Sequence, residues 1–134
     1  MSRPERGILD TSTLIDLADL DPVELPEQPL ITTVTLAELS VGPLVARSSS
    51  ERAARQAHLQ QAEADFDPLP LDAEAARAFG RVAADLGRAG RKPAARAYDA
   101  LIAAIAIAHD LPLYSRNPTD FEGIKELVVR PLGS

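Results

Sequence analysis

Four acidic residues, far apart in the chain but alike in context, are the best candidates for chemistry in this sequence of 134 residues. Asp10 closes the apolar run "GIL" and is followed by Thr11, Ser12 and Thr13. Glu38 lies in "TVTLAELSVG", between Ala37 and Leu39. Asp99 opens "DALIAAIAIAHD", and Asp120 falls in "YSRNPTDF" shortly after Asn117. Each has an ordinary explanation when taken alone. Asp10 reads as a helix cap and Glu38 as an exposed residue of a good helix former. Asp99 reads as an N-cap or a first-turn acid opposing the helix dipole, and Asn117 and Asp120 as turn formers beside Pro118. Jointly they imply something else. Carboxylates gathered within about 4 Å repel by roughly 4 kcal/mol per pair at an effective dielectric near 20. Protonating one of them or binding a cation relieves the repulsion. An all-oxygen set, with no cysteine in the chain, selects a hard ion, Mg²⁺ or Mn²⁺. His58, in an Ala/Gln-rich helix, and His109, at a helix end, read as surface groups or dipole partners rather than ligands.

The elements that would gather these acids follow from hydrophobic spacing. Ile8 and Leu9 end a buried strand, and "STLIDLADL" has the apolar spacing of a helix. Asp10 then sits at the carboxyl end of a strand where a helix begins, the place where open α/β sheets bind ligands. "LITTVT" predicts a second strand, and "LAELSVGPL" a helix that Pro43 bends or ends. "SSSERAARQAHLQQAEADF" is a serine-capped helix and "DPLPL" a short extended piece. "DAEAARAFGRVAADLGRAG" is a helix capped by Asp72 and closed by Gly87 or Gly90. "ARAYDALIAAIAIAHD" holds no polar residue from Leu101 to Ala108, the mark of a helix buried all round. "LPLYS" is a strand, "NPTDF" a turn or short helix, and "ELVVRPL" a last strand. The alternation predicts one α/β domain over residues 1–134, its mainly parallel sheet covered by helices on both faces. Such a sheet brings successive strand ends to one edge.

Composition narrows the class. With 46% apolar residues the chain can bury a core, and without cysteine it has no disulfide framework. No signal-peptide or membrane-spanning run is visible, so a cytoplasmic protein is expected. The net charge of −6 argues against indiscriminate nucleic-acid binding, yet it is unevenly spread. No Lys or Arg occurs between Gly7 and Ala46, whereas Arg88, Arg91, Lys92 and Arg96 follow one another with no acid among them. The chain has no phosphate-cradling glycine loop, zinc motif or serine triad.

"ILDTSTLI", "TTVTLAELSVG" and "YDALIAAIAIAHDLPLYSRNPTDF", in this order, resemble the PIN-domain ribonucleases of the VapC toxin type, over about Ile8 to Phe121. The resemblance implies a five-stranded parallel sheet, a Mg²⁺- or Mn²⁺-dependent endoribonuclease site, and an antitoxin of the VapB type encoded alongside. By position, Asp10, Glu38 and Asp99 match the acids around the metal, and Asp120 the acid of the closing segment. Asp10, Asp99 and Asp120 are the expected metal holders, with Glu38 reaching the ion directly or through its water. Ser12 matches the hydroxyl that supports the first aspartate. Ser115 stands where threonine is commoner, and Asn117 where some members carry a further acid. The implied reaction is hydrolysis of RNA by a metal-activated water, with Arg88, Arg91, Lys92 and Arg96 gripping phosphates. The apolar helices make a homodimer the expected assembly. A PIN-like binding or regulatory module without catalysis is the alternative. A phosphotransferase using Asp10 as nucleophile fits poorly, because Ser12 stands where its second aspartate would be.

Overall fold

The computed structural model describes residues 6–92 and 96–133. The first strand, β1 (Arg6–Leu9), leads directly into α1 (Thr11–Ile15). Two 3-10 turns connect it to β2 (Gln28–Leu30) and α2 (Thr33–Val41), followed by α3 (Ser49–Asp65), α4 (Ala73–Arg88) and α5 (Ala97–Ala108). β3 (Leu113–Ser115), a 3-10 turn over Pro118–Phe121 and β4 (Val129–Pro131) complete the order. The four strands are all parallel, in the order β2-β1-β3-β4. The chain leaves β1 for β2 on one side and returns through the helices to β3 on the other. The carboxyl ends of β1 and β3 therefore flank the point where strand order reverses, the place where open α/β sheets bind ligands.

The sheet has four strands among the described residues, not five. The fifth extended piece, "DPLPL", reaches the β2 side of the sheet but makes a single bridge, Thr32 to Leu69. Thr33 N donates to Leu69 O at 2.9 Å and Leu69 N to Ile31 O at 3.0 Å. Pro68 and Pro70 on either side have no N–H to continue the ladder. The expectation for "LITTVT" is also corrected. The strand is "QPL", starting two residues earlier, and the threonines belong to the next helix, where Thr32 Oγ1 accepts from Thr35 N at 3.2 Å as the N-cap. A cap bond here outweighs the strand preference of β-branched residues.

Alternate residues of the strands face opposite layers. Ile8 and Leu113 point into a core shared with Ala75, Val82 and Leu86 of α4 and Ile102, Ile105 and Ala106 of α5. Leu9 and Tyr114 face the other way, against Leu20, Leu25 and Leu132. Both faces are covered, as expected for a parallel sheet. Burying Ile105 completely contributes roughly 1.5–3 kcal/mol, and α5 inserts a run of such residues. A third cluster, Ile31, Leu39 and Ala62, joins α2 to α3.

Helix ends are set by specific residues. Asp72 caps α4, and Gly90 closes it at φ 76°, with Arg91 N donating back to Leu86 O at 2.9 Å. Gly87 remains inside the helix. Asp110, at φ 53°, makes the same reversal after α5, with Leu111 N donating to Ala106 O at 2.9 Å, so the chain turns sharply into β3. Gly7 is required by packing: a Cβ there would run into the Tyr114 ring, whose Cδ1 is 2.8 Å away.

Candidate active site

Asp10 sits at the carboxyl end of β1 with only 4% of its surface exposed. It caps α1, Oδ1 accepting from Thr13 N at 3.1 Å, so the ordinary reading of this residue is correct as far as it goes. The cap uses one oxygen only. Oδ2 accepts from Ser115 Oγ at 2.6 Å, at the end of β3 and fully buried. Asn117 fixes this arrangement from above. Its backbone N donates to Ser115 Oγ at 2.9 Å and its Nδ2 donates to Ser12 Oγ at 3.1 Å, while Ser12 donates to Asp10 Oδ1 over a long 3.4 Å. Two hydroxyls thus face the two oxygens of Asp10, and one asparagine holds both. An aspartate at position 117 could not donate to Ser12.

Glu38 comes from α2. Its Oε1 accepts from Thr11 Oγ1 at 2.6 Å, and Thr11 Oγ1 lies 2.9 Å from Thr35 Oγ1. A hydroxyl has one proton, and Thr11 gives its proton to Glu38, so the buried Thr35 is the donor to Thr11. Burial raises the Glu38 pKa, the Thr11 bond opposes the rise, and the charge of Asp10 adds to it.

Asp99 and Asp120 form the other side. Asp99 is in the first turn of α5 and is not its N-cap; that position belongs to Arg96. Asp120 is carried by the 3-10 turn after β3. The Asp99 pKa is pushed up to about 6, first by burial and then by the charges of Asp120, Asp10 and Glu38, with Arg96 acting in the opposite direction. The acids read from four separate segments therefore repel one another in the folded chain. Arg96 Nη1 donates to Asp120 Oδ1 at 2.8 Å and lies 3.9 Å from Asp99 Oδ2.

The set fits a hard divalent cation in kind: oxygen donors, mutual repulsion and a partly buried position. Among the described residues, no group of three or more acidic or histidine side chains is already arranged to hold an ion. A positive charge is present in the form of Arg96.

The basic stretch is less free than its sequence implies. Arg88 pairs with Asp85 at 3.1 Å, and Arg91 Nη1 donates to the carbonyls of Thr119 and Glu122 at 2.7 and 3.1 Å. Lys92 is exposed, and residues 93–95 of this stretch lie outside the described residues. Thr11 and Thr35 are site residues that sequence reading missed. Thr11 was visible beside Asp10, but Thr35 was hidden in a run read as strand. Had Thr32 been read as a cap, positions 35 and 38 would fall on neighbouring turns of one helix.

The PIN domain profile matches residues 8–127. The chain is 39% identical over 117 residues to ribonuclease VapC5 of Mycobacterium tuberculosis, covering 85% of this chain and 84% of that protein. It is 34% identical to ribonuclease VapC8 of the same species over 101 residues, 75% of this chain and 89% of that protein. Among solved structures it superposes on VapBC-5, a toxin–antitoxin system from M. tuberculosis, with a TM-score of 0.83 and 37% identity, covering 96% of this chain and 99% of that chain. DNA-bound VapBC from Salmonella typhimurium gives 0.74 at 25% identity, covering 96% and 98%. On this evidence of sequence and fold, the chain belongs to the PIN-domain family, among the VapC ribonucleases.

Proposed function

We propose that the protein is a Mg²⁺- or Mn²⁺-dependent endoribonuclease, acting as the toxin of a toxin–antitoxin pair. The observation that carries this reading is the setting of Asp99 at the carboxyl edge of a parallel sheet, where burial first, and then the charges of three carboxylates from three other segments, raise its pKa. The likeness to VapC5 supports ribonuclease chemistry. Asp10, Asp99 and Asp120 would hold the ion. When bound, the ion supplies a Lewis acid and an acidified water for phosphodiester hydrolysis.

The chain's own residues do the rest. Ser115 and Ser12, anchored by Asn117, keep the Asp10 carboxylate from rotating. Glu38 has Oε1 tied to Thr11 and a pKa raised by burial, which suits it to accept a proton at Oε2. Attack by water in line with the leaving oxygen leaves a 5′-phosphate and a 3′-hydroxyl. Arg91 and Arg96 contact the turn that carries Asp120, and with Arg88 and Lys92 they make up the basic stretch that would meet RNA phosphates.

An antitoxin of the VapB type is the proposed partner, in line with the complexes that this chain resembles. An arginine offered to the acids would block the site, since a guanidinium binds carboxylates bidentately. A homodimer and a cytoplasmic location complete the proposal. Among the described residues no helix is long and apolar enough to cross a membrane. Incubating the purified protein with total RNA, in Mg²⁺ or in EDTA, and sequencing the new 5′ ends tests the reading. Metal-dependent 5′-phosphate ends at defined sites are expected; ends that form equally in EDTA contradict it.

A further inference from the structure

Arg96 is, among the described residues, the basic residue paired with the site acids Asp99 and Asp120. Its Nη1 donates to Asp120 Oδ1 at 2.8 Å and lies 3.9 Å from Asp99 Oδ2, and its side chain is 34% exposed. The residue occupies the N-cap position of α5 but its side chain makes no cap bond. A cation at the amino end of a helix opposes the helix dipole, so the helix does not explain why the guanidinium is there. The carboxylates do. Arg88 and Arg91, in the same stretch, are committed elsewhere: Arg88 to Asp85, Arg91 to two carbonyls.

We propose that Arg96 is an internal counter-ion that competes with the divalent cation for Asp120 and Asp99, so that loading the ion requires the guanidinium to leave Asp120. The inference rests on reading the four acids as a cation site. In the metal-free chain Arg96 neutralises part of a repulsive cluster and keeps Asp120 turned toward it. An entering ion needs the same carboxylate oxygens, and a cation left beside it would repel it. The site therefore binds metal more weakly than its acids alone would allow, and the missing affinity is the cost of moving one side chain.

The test uses the full chain stripped of metal, with Mn²⁺ binding measured calorimetrically for wild type, Arg96→Gln and Arg96→Lys. Arg96→Gln is expected to bind Mn²⁺ about tenfold more tightly, equivalent to about 1.4 kcal/mol. It should also melt below wild type when metal is absent. Arg96→Lys keeps the charge and should stay close to wild-type affinity. If Arg96→Gln binds Mn²⁺ no more tightly than wild type, or if Arg96→Lys gains as much as Arg96→Gln, the competition does not exist. Folded wild type and Arg96→Gln that both bind no Mn²⁺ would overturn the cation site and this proposal together. Equal, measurable binding by the two would overturn this proposal alone. A measurement on wild type avoids dependence on the variant's folding. The Arg96 Nε–Hε resonance, assigned by through-bond correlations in the wild-type chain, should shift during Mg²⁺ titration in step with binding. A resonance that stays put through saturation contradicts the proposal.

Discussion

The two sides of the candidate site are held by different forces. On one side Asp10 is almost fully buried, accepts a backbone N–H and two hydroxyls, and is locked through Asn117 to the end of β3. On the other, Asp99 and Asp120 are each about one-third exposed and are held by Arg96. Hydrogen bonds fix geometry over tenths of an ångström, whereas a charge pair at a partly exposed position tolerates movement. The first side is therefore a finished anchor, and the second is the one that, in the proposed site, an entering cation would have to rebuild. The difference explains how a site can be legible as four coupled acids and still not be closed around an ion.

The largest effect that would break this comparison is on catalysis. Asp10→Asn and Asp99→Asn should both reduce RNA cleavage to background, measured on a defined transcript in Mg²⁺. Their stabilities should diverge. Asp10→Asn puts an amide where Ser115 and Thr13 both donate, costing ~1–3 kcal/mol by denaturant unfolding. Asp99→Asn removes a repelled charge and should leave the metal-free protein as stable as wild type or more so. Equal destabilisation by both would mean that the two sides are built alike.

A pH titration sharpens the contrast. Asp99 has a native pKa of about 6 against an ordinary 3.8, so the native chain holds a proton that the unfolded chain releases between those values. Stability then falls as pH rises from 3.8 to about 6 and stays lower above that range. Glu38 contributes in the same direction. Melting in EDTA across this range should show the fall in wild type and a flatter curve in Asp99→Asn. Cleavage should rise over the same interval, because the ionised form is the one that binds metal.

Within the anchored side the bonds are unequal, and the variants should rank accordingly. Ser115→Ala removes a fully buried donor at 2.6 Å from Asp10 and an acceptor for Asn117 N, costing ~1–3 kcal/mol. Ser12→Ala removes a 3.4 Å contact and should cost less than about 1 kcal/mol. Asn117→Asp exchanges a donor for a further negative charge, so its metal-free melting temperature should drop while its response to metal grows.

The smallest effect concerns RNA. Lys92 is exposed, and Lys92→Gln should weaken binding evenly across sequences and reduce the salt slope by about 1. Arg91→Gln should lower the melting temperature as well, because Arg91 supports the turn that carries Asp120. An unchanged salt slope in Lys92→Gln would place the RNA on another face.

Much of this was legible in the residues, and the failures share a physical cause. Asp10 after an apolar run, the wholly apolar segment after Asp99 and the caps Ser48 and Asp72 are local signals, and each element they imply is present. "LITTVT" misled because β-branched residues fit a strand until a threonine finds a helix N–H to cap. The fifth strand failed on two prolines around Leu69. Asp85 is buried in the α4 sequence, accepting from Lys125 N at 3.0 Å and from Arg88, partners that no local pattern announces. The Thr35–Thr11–Glu38 chain joins residues from two elements, a meeting that only tertiary packing supplies. Arg96 was expected to face RNA, and its pairing with Asp120 depends on where the turn after β3 lands.

The central claim is that Asp10, Glu38, Asp99 and Asp120 form one cation site, and the melting of Asp99→Asn with and without metal tests it most directly. Wild type should be stabilised by Mn²⁺ by about 2.7 kcal/mol at a hundredfold excess over Kd. Asp99→Asn should match or exceed wild type in EDTA and lose most of the metal shift, while the exposed control Asp67→Asn keeps all of it. If Asp99→Asn instead melts lower in EDTA and retains the shift, Asp99 is a first-turn acid serving its helix dipole, and the four acids are not one site.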